Sequence, residues 1–158
     1  MKLPLILALT PHLSTLTAAE QQAEIGGSRQ DLLDMNVGQV SSFAYPYGDY
    51  DTTTLNIVES NNLSSARSTI DGSAFPTSDR YQLPRRGVNS NTTIAEVKQW
   101  IDTVIANKEW LILTFHDINE SGATYSTTPA IFNQIVDYLV QKNVPVVTEA
   151  EGAGDLYP

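Results

Sequence analysis

The chain has 158 residues, of which 41% are hydrophobic and 17% charged, and its formal net charge is −9. Those values describe one globular domain over 1–158 with enough chain to bury a core, and they exclude intrinsic disorder. The negative charge opposes binding to nucleic acid or to an anionic membrane surface, and the absence of cysteine excludes a disulfide framework, a thiolate metal site and a cysteine nucleophile.

The first nine residues read in two ways. Lys2 ahead of a short apolar run, with Thr17-Ala18-Ala19 downstream, imitates a secretory leader. A buried first strand fits slightly better, because Pro4 interrupts the run and His12 and several hydroxyls precede the supposed cut. The run is too short to span a membrane, and no later segment is a transmembrane candidate.

Thr17-Ala18-Ala19-Glu20 is a capping box, predicting a helix to about residue 35 with Ile25, Leu32 and Leu33 on its buried side. Gly26-Gly27 weakens its middle by about 1 kcal/mol per glycine relative to alanine, which permits a break there. Residues 40–45 predict a short strand running into the turn Pro46-Tyr47-Gly48. Asp51 then caps a helix through Leu55 and Val58 to about residue 61, and 65–69 is a weak strand candidate. The span 71–91 has no regular pattern; a loop of that length is more often functional than idle. Thr93-Ile94-Ala95-Glu96 is a second capping box, opening a helix striped by Val97, Ile101, Val104 and Ile105. Residues 110–116 read as a strand buried on both faces, ending in His116-Asp117 and a polar loop over 119–128. Thr128-Pro129 starts a helix carrying Phe132, Ile135, Val136 and Leu139. Residues 144–148 close the chain as a strand, with Pro145 tolerable near its beginning.

Strand and helix alternate without an internal repeat or linker, which makes this an α/β domain with a mainly parallel sheet. Periodicity alone does not separate an open sheet from a barrel. In either, ligands bind where strands release their carboxyl ends, so the turn after residue 45 and the pair His116-Asp117 are the candidate functional positions. Plainer readings also stand: Tyr45 and Tyr47 suit packing, Pro46-Tyr47-Gly48 suits an ordinary turn, Arg85 and Arg86 suit solvation, and Asp117 suits a loop cap.

Phe43-Ala44-Tyr45-Pro46-Tyr47-Gly48 with Tyr50-Asp51, and Leu113-Thr114-Phe115-His116-Asp117 further on, resemble the third and fifth motifs of the polysaccharide deacetylases. These are the NodB-homology enzymes of carbohydrate esterase family 4. Leu83-Pro84-Arg85 resembles the segment carrying the fourth-motif arginine, and 144–148 the closing strand, so the likeness runs over about 11–152. The resemblance implies a distorted (β/α) barrel that removes N- or O-acetyl groups from a polysaccharide with a divalent metal, usually zinc. Such a cation lowers the pKa of bound water and polarises the acetyl carbonyl. It further implies that His116 is the general acid and that Leu113 lines the pocket for the acetyl methyl group. The Tyr47 N–H becomes the oxyanion donor, and Arg85 pairs with the catalytic carboxylate, with Arg86 an adjacent alternative. Tyr45, Pro46 and Trp110 complete the expected substrate-binding set.

The family's first motif, an aspartate pair on an early strand, has no counterpart before Phe43, where the first acidic residue is Glu20. Its second motif places two histidines at i and i+4, a spacing suited to one metal. With Leu13 aligned to that motif's leucine, Thr10 and Ile6 stand where the histidines belong, and neither binds zinc. His12 is the nearest candidate, two residues out of register, and the chain has only 2 histidines. The expectation is the C-terminal part of a deacetylase barrel, with its usual beginning replaced or interrupted over about 1–10 as in a truncated or split gene. That would leave an unpaired sheet edge and exposed core. Metal binding and turnover are therefore expected to be impaired.

Three functions compete. The first is a polysaccharide deacetylase-like protein with impaired activity, secreted or in the cell envelope as the resemblance implies. The second is a non-catalytic remnant that holds a glycan against Tyr47, Tyr50 and Trp110. The third, on fold analogy alone, is a barrel glycosidase, for which no distinctive acidic pair is visible.

Overall fold

The computed structural model describes residues 11–157, so both readings of the first nine residues, leader and buried strand, lie outside the described residues. The chain divides into two compact units. The first takes in the described residues up to Ile70, Pro76–Pro84 and those from Thr148 on; the second comprises Asp71–Phe75 and Arg85–Val147.

In the first unit, Thr17 opens α1 (Ala18–Gln22) with the expected capping box. The Glu20 carboxylate accepts from the Thr17 N–H at 2.8 Å, and the Thr17 hydroxyl accepts from the Glu20 N–H at 3.3 Å. The helix does not break at Gly26-Gly27. It widens into a π-helical turn over Ala23–Gly27 and continues as α2 (Ser28–Asp34). β1 (Ser42–Ala44) leads through the Pro46–Gly48 turn to α3 (Thr52–Ser60), where the Asp51 carboxylate accepts from the Thr54 N–H at 2.8 Å. β2 (Ser65–Asp71) pairs with β1 in parallel, from Ser42↔Ser65 to Ala44↔Arg67. Alternation along the pair sends Phe43 and Ala66 into a core with Leu13, Ile25, Val40, Tyr45 and Val58. Burying Phe43 there is worth about 1.5–3 kcal/mol.

The second unit takes up β3 (Leu83–Gly87) from Arg85 onward and pairs it in parallel with β4 (Leu113–Thr114), Arg86 opposite Leu113 and Gly87 opposite Thr114. Between them runs α4 (Ile94–Asn107), capped by Thr93 and Glu96, which buries Val97, Ile101 and Val104. Ile105 falls off that stripe and is 44% exposed. α5 (Pro129–Lys142) starts at Thr128, whose hydroxyl accepts from the Ile131 N–H, and packs Ile135 against Val88, Val97 and Ile101. β5 (Asp117–Ile118) and β6 (Ser126–Thr127) form a short parallel pair.

Three expectations need correction, and the 65–69 strand candidate proves stronger than expected. The 71–91 span is not wholly irregular, because it contains β3 with Leu83 fully buried. The 65–69 candidate is the longest described strand, at 7 residues; burial of Ser65 and Ala66 against β1 outweighs their weak strand propensity. The strand expected over 110–116 reduces to Leu113–Thr114, and residues 111–115 are half-buried rather than enclosed on both faces. One side of that segment packs on the α4–α5 cluster, and among the described residues β3 is its pairing strand in this unit. Residues 144–148 form no strand: Pro145 removes a ladder donor, no described strand pairs with them, and Val146 is 76% exposed. Thr148 instead caps α6 (Glu149–Leu156), which belongs to the first unit.

Strand, helix and parallel strand recur as β1-α3-β2 in the first unit and as β3-α4-β4 in the second. The fold is α/β, an incomplete (β/α) barrel with mainly parallel strands, as the alternation and the resemblance implied. No described helix is long and apolar enough to cross a membrane.

Candidate functional site

In the first unit the candidate residues gather at the end of β1. Tyr45 faces inward and is 4% exposed. Its hydroxyl donates to the Tyr81 carbonyl at 2.8 Å, and its ring meets Phe43 edge-on at 5.2 Å and Tyr50 at 4.7 Å. Burial, aided by Tyr50, Asp79 and Tyr81, pushes its phenol well above the usual range. It is a packing residue that anchors the turn rather than a surface presented to a ligand.

Pro46 sets the backbone for the turn that follows. The Gly48 N–H donates to the Tyr45 carbonyl at 2.9 Å, and the Asp49 N–H to the Pro46 carbonyl at 3.0 Å. Tyr47 and Gly48 both lie in the left-handed region, at φ 57° and 73°. For a tyrosine this costs about 1–2 kcal/mol. A side chain at Gly48 would drive its Cβ to 2.0 Å from the Thr69 hydroxyl oxygen, so only glycine closes this turn. Two consequences follow. Among the described residues the Tyr47 N–H donates to no acceptor, and the Tyr47 side chain is held out at 63% exposure.

His12 lies against this turn. Its ring stacks on that of Tyr47 at 4.4 Å with an interplanar angle of 21°, and its Nδ1 is 3.7 Å from Asp49 Oδ2. Ser14 fixes Asp49 by donating from its N–H at 3.1 Å and from its hydroxyl at 2.8 Å. His12 is thus engaged with an aromatic ring and one carboxylate. Among the described residues no group of three or more His, Cys, Asp or Glu is placed to hold a metal ion, although a catalytic zinc needs about three protein ligands. The described donor set does not fit zinc.

The second unit carries the other candidates. Arg86 pairs with Asp71 and lies over the Trp100 ring at 5.2 Å. Its neighbour Arg85 is half-buried with a buried Nε that has no acceptor, and its guanidinium lies across Gly87, where an added Cβ would come within 2.2 Å of Nη1. Of the two arginines, Arg85 is the one whose donor awaits a partner. Trp110 is half-buried and exchanges backbone hydrogen bonds with Ala74 at 2.8 and 2.9 Å. Leu113 is half-buried, packed on the α4–α5 cluster. His116 is exposed just past β4, its ring edge-to-face with Tyr125 at 5.3 Å. The loop beyond it is tied down by the Asn119 N–H donating to the Thr127 carbonyl at 2.9 Å.

Sequence reading missed the pair formed by Arg67 and Glu149 in the first unit, 3.6 Å apart. Burial pushes the Glu149 carboxyl up to about 7, with Arg67 opposing the shift, and Oε1 is buried without a partner. A signal for α6 was present in Thr148-Glu149-Ala150-Glu151, a capping box read through as the end of a strand.

The family model described as polysaccharide deacetylase matches residues 10–66, a span that contains α1 to α3, β1 and the Tyr47 turn. No curated protein matches the chain. Among solved structures, the chain is similar to a Streptococcus pyogenes deacetylase, PplD, in complex with acetate, with a TM-score of 0.55 and 25% sequence identity. The match covers 58% of this chain and 40% of that one, so the chain spans well under half the length of that relative. The two comparisons thus make the chain similar to polysaccharide deacetylases, in sequence over residues 10–66 and in fold over 58% of its length.

Proposed function

We propose that the chain is a polysaccharide deacetylase-like protein that engages an acetylated glycan at the Tyr47 turn and hydrolyses the acetyl group slowly. The observation carrying this reading is the Tyr47 N–H: a strained turn keeps it out of every protein hydrogen bond among the described residues. A fixed, unclaimed N–H at the end of a strand suits the oxyanion of a tetrahedral intermediate, for which it needs no reorganisation during reaction. The similar streptococcal structure contains acetate, which is the product that deacetylation releases.

The remaining roles follow the family resemblance residue by residue. His116, exposed at the end of β4, gives a proton to the departing amine or alkoxide. Leu113 meets the acetyl methyl group. Arg85 offers its unpartnered Nε to a carboxylate. Since the described donors do not fit zinc, no step is assigned to a metal held by them. A secreted or cell-envelope location belongs to the same proposal.

One observation favours a second reading, a glycan-binding protein without turnover: no described cluster supplies a metal site. Acetate release from N-acetylated chito-oligosaccharides and O-acetylated xylan, measured beside calorimetric binding of both, decides between them. Slow acetate release lost in His116→Ala supports the deacetylase-like reading. Binding without release supports the second, and neither binding nor release of acetate would overturn both.

A further inference from the structure

We infer that the open face of the Tyr47 ring is a stacking platform for a pyranose ring of the glycan, with His12 as the residue that positions it. This inference rests on the deacetylase-like reading but concerns a different part of Tyr47, its side chain rather than its N–H. His12 covers one face of Tyr47 at 4.4 Å in a nearly parallel stack. With that face covered, a ring still 63% exposed must present the opposite face to solvent. The left-handed backbone that frees the Tyr47 N–H also turns the ring outward, where a ligand can reach it. An exposed flat aromatic face with an adjacent donor fits the apolar C–H face of a sugar, whose hydroxyls stay in water.

The support behind the ring is built. Asp49 reaches His12 Nδ1 at 3.7 Å and is itself held by two donors from Ser14. Gly48 against Thr69 and Pro46 at the head of the turn stop the backbone from relaxing. His12 therefore limits the rotation of an otherwise exposed ring, and a pre-positioned ring loses less rotamer freedom when a sugar stacks on it.

The test is an NMR titration of the full chain with N-acetylchitotriose and with O-acetylated xylotriose, for wild type, His12→Ala, His12→Phe and Tyr47→Leu. His12→Ala is expected to weaken binding by about three- to tenfold, the range a single aromatic contact supports. His12→Phe keeps a flat ring behind Tyr47 and is expected to restore binding to within about twofold of wild type. Tyr47→Leu keeps the backbone N–H but loses the platform, and is expected to bind at least as weakly as His12→Ala. The Tyr47 ring resonances should lose their ring-current shift in His12→Ala and regain one in His12→Phe. Wild-type affinity in His12→Ala, or His12→Phe as weak as His12→Ala, would overturn the platform and leave the deacetylase-like reading in place. Failure of the wild type to bind either sugar would remove both.

Discussion

The turn after β1 and the segment after β4 both end a strand with candidate functional groups, and they are built in opposite ways. At the first, Tyr47 is locked by Pro46, by two left-handed residues, by Thr69 against Gly48, and by a His12–Asp49–Ser14 brace. At the second, His116 stands exposed beside an exposed Tyr125, and two-residue strands hold the loop. A backbone donor works only if its geometry is fixed before substrate arrives, whereas a proton donor on a side chain tolerates rotation. The contrast therefore matches the chemistry assigned to each.

Glycine substitutions break or sharpen this contrast most strongly. Gly48 and Gly122 have nearly the same φ, 73° and 68°, but a Cβ at Gly48 collides with Thr69 while at Gly122 it meets nothing within 4 Å. Gly48→Ala is expected to lose about 3 kcal/mol or more, combining left-handed strain with overpacking. Gly122→Ala, in the loop beyond His116, should lose only about 1 kcal/mol. Urea unfolding of the two variants measures both, and equal losses would show that the first turn is not specially confined.

Glu149 supplies the next effect. Burial raises its carboxyl from 4.5 to about 7, so between those values the folded chain holds a proton that the unfolded chain has released. Stability from this group is present at acid pH and declines as pH rises through that window, then levels off above it. Glu149→Gln should flatten the profile and stabilise the chain at pH 8 by roughly 1–3 kcal/mol. Thermal melts from pH 4 to 8 check the sign, and a wild-type profile that climbs across that window would refute it.

A capping comparison comes after that. Asp51→Ala, below the Tyr47 turn, removes a carboxylate that caps α3 and is held below its usual range by the Thr54 N–H; about 1–2 kcal/mol is expected. His116→Ala should change stability by no more than about 0.5 kcal/mol, as at an exposed site, while any acetate release disappears. An equally small loss in Asp51→Ala would mean that α3 does not hold the turn in place.

How much of this was legible depended on whether the signal was local. The capping boxes at Thr17 and Thr93, the Asp51 cap and the Thr128-Pro129 start each decide a helix within four residues, and each helix forms where its cap says. Strands were harder, because β2 forms through burial against β1, and 144–148 fails to form for want of a neighbour; neither fact lies in the segment itself. The Pro46-Tyr47-Gly48 turn was visible as a motif. Its brace was not, since Ser14 and Asp49 are 35 residues apart and meet only in the fold. Sequence proximity made Arg85 and Arg86 equivalent; the partners of Arg86 and the orphaned Nε of Arg85 separate them.

The most direct test of the proposal that the chain holds substrate at the Tyr47 turn, with His12 serving that turn rather than a metal, is calorimetric titration of the purified chain with zinc, wild type beside His12→Ala. The expected result is no saturable binding that depends on His12. Binding of one zinc per chain, abolished by His12→Ala, would contradict it and make His12 a metal ligand.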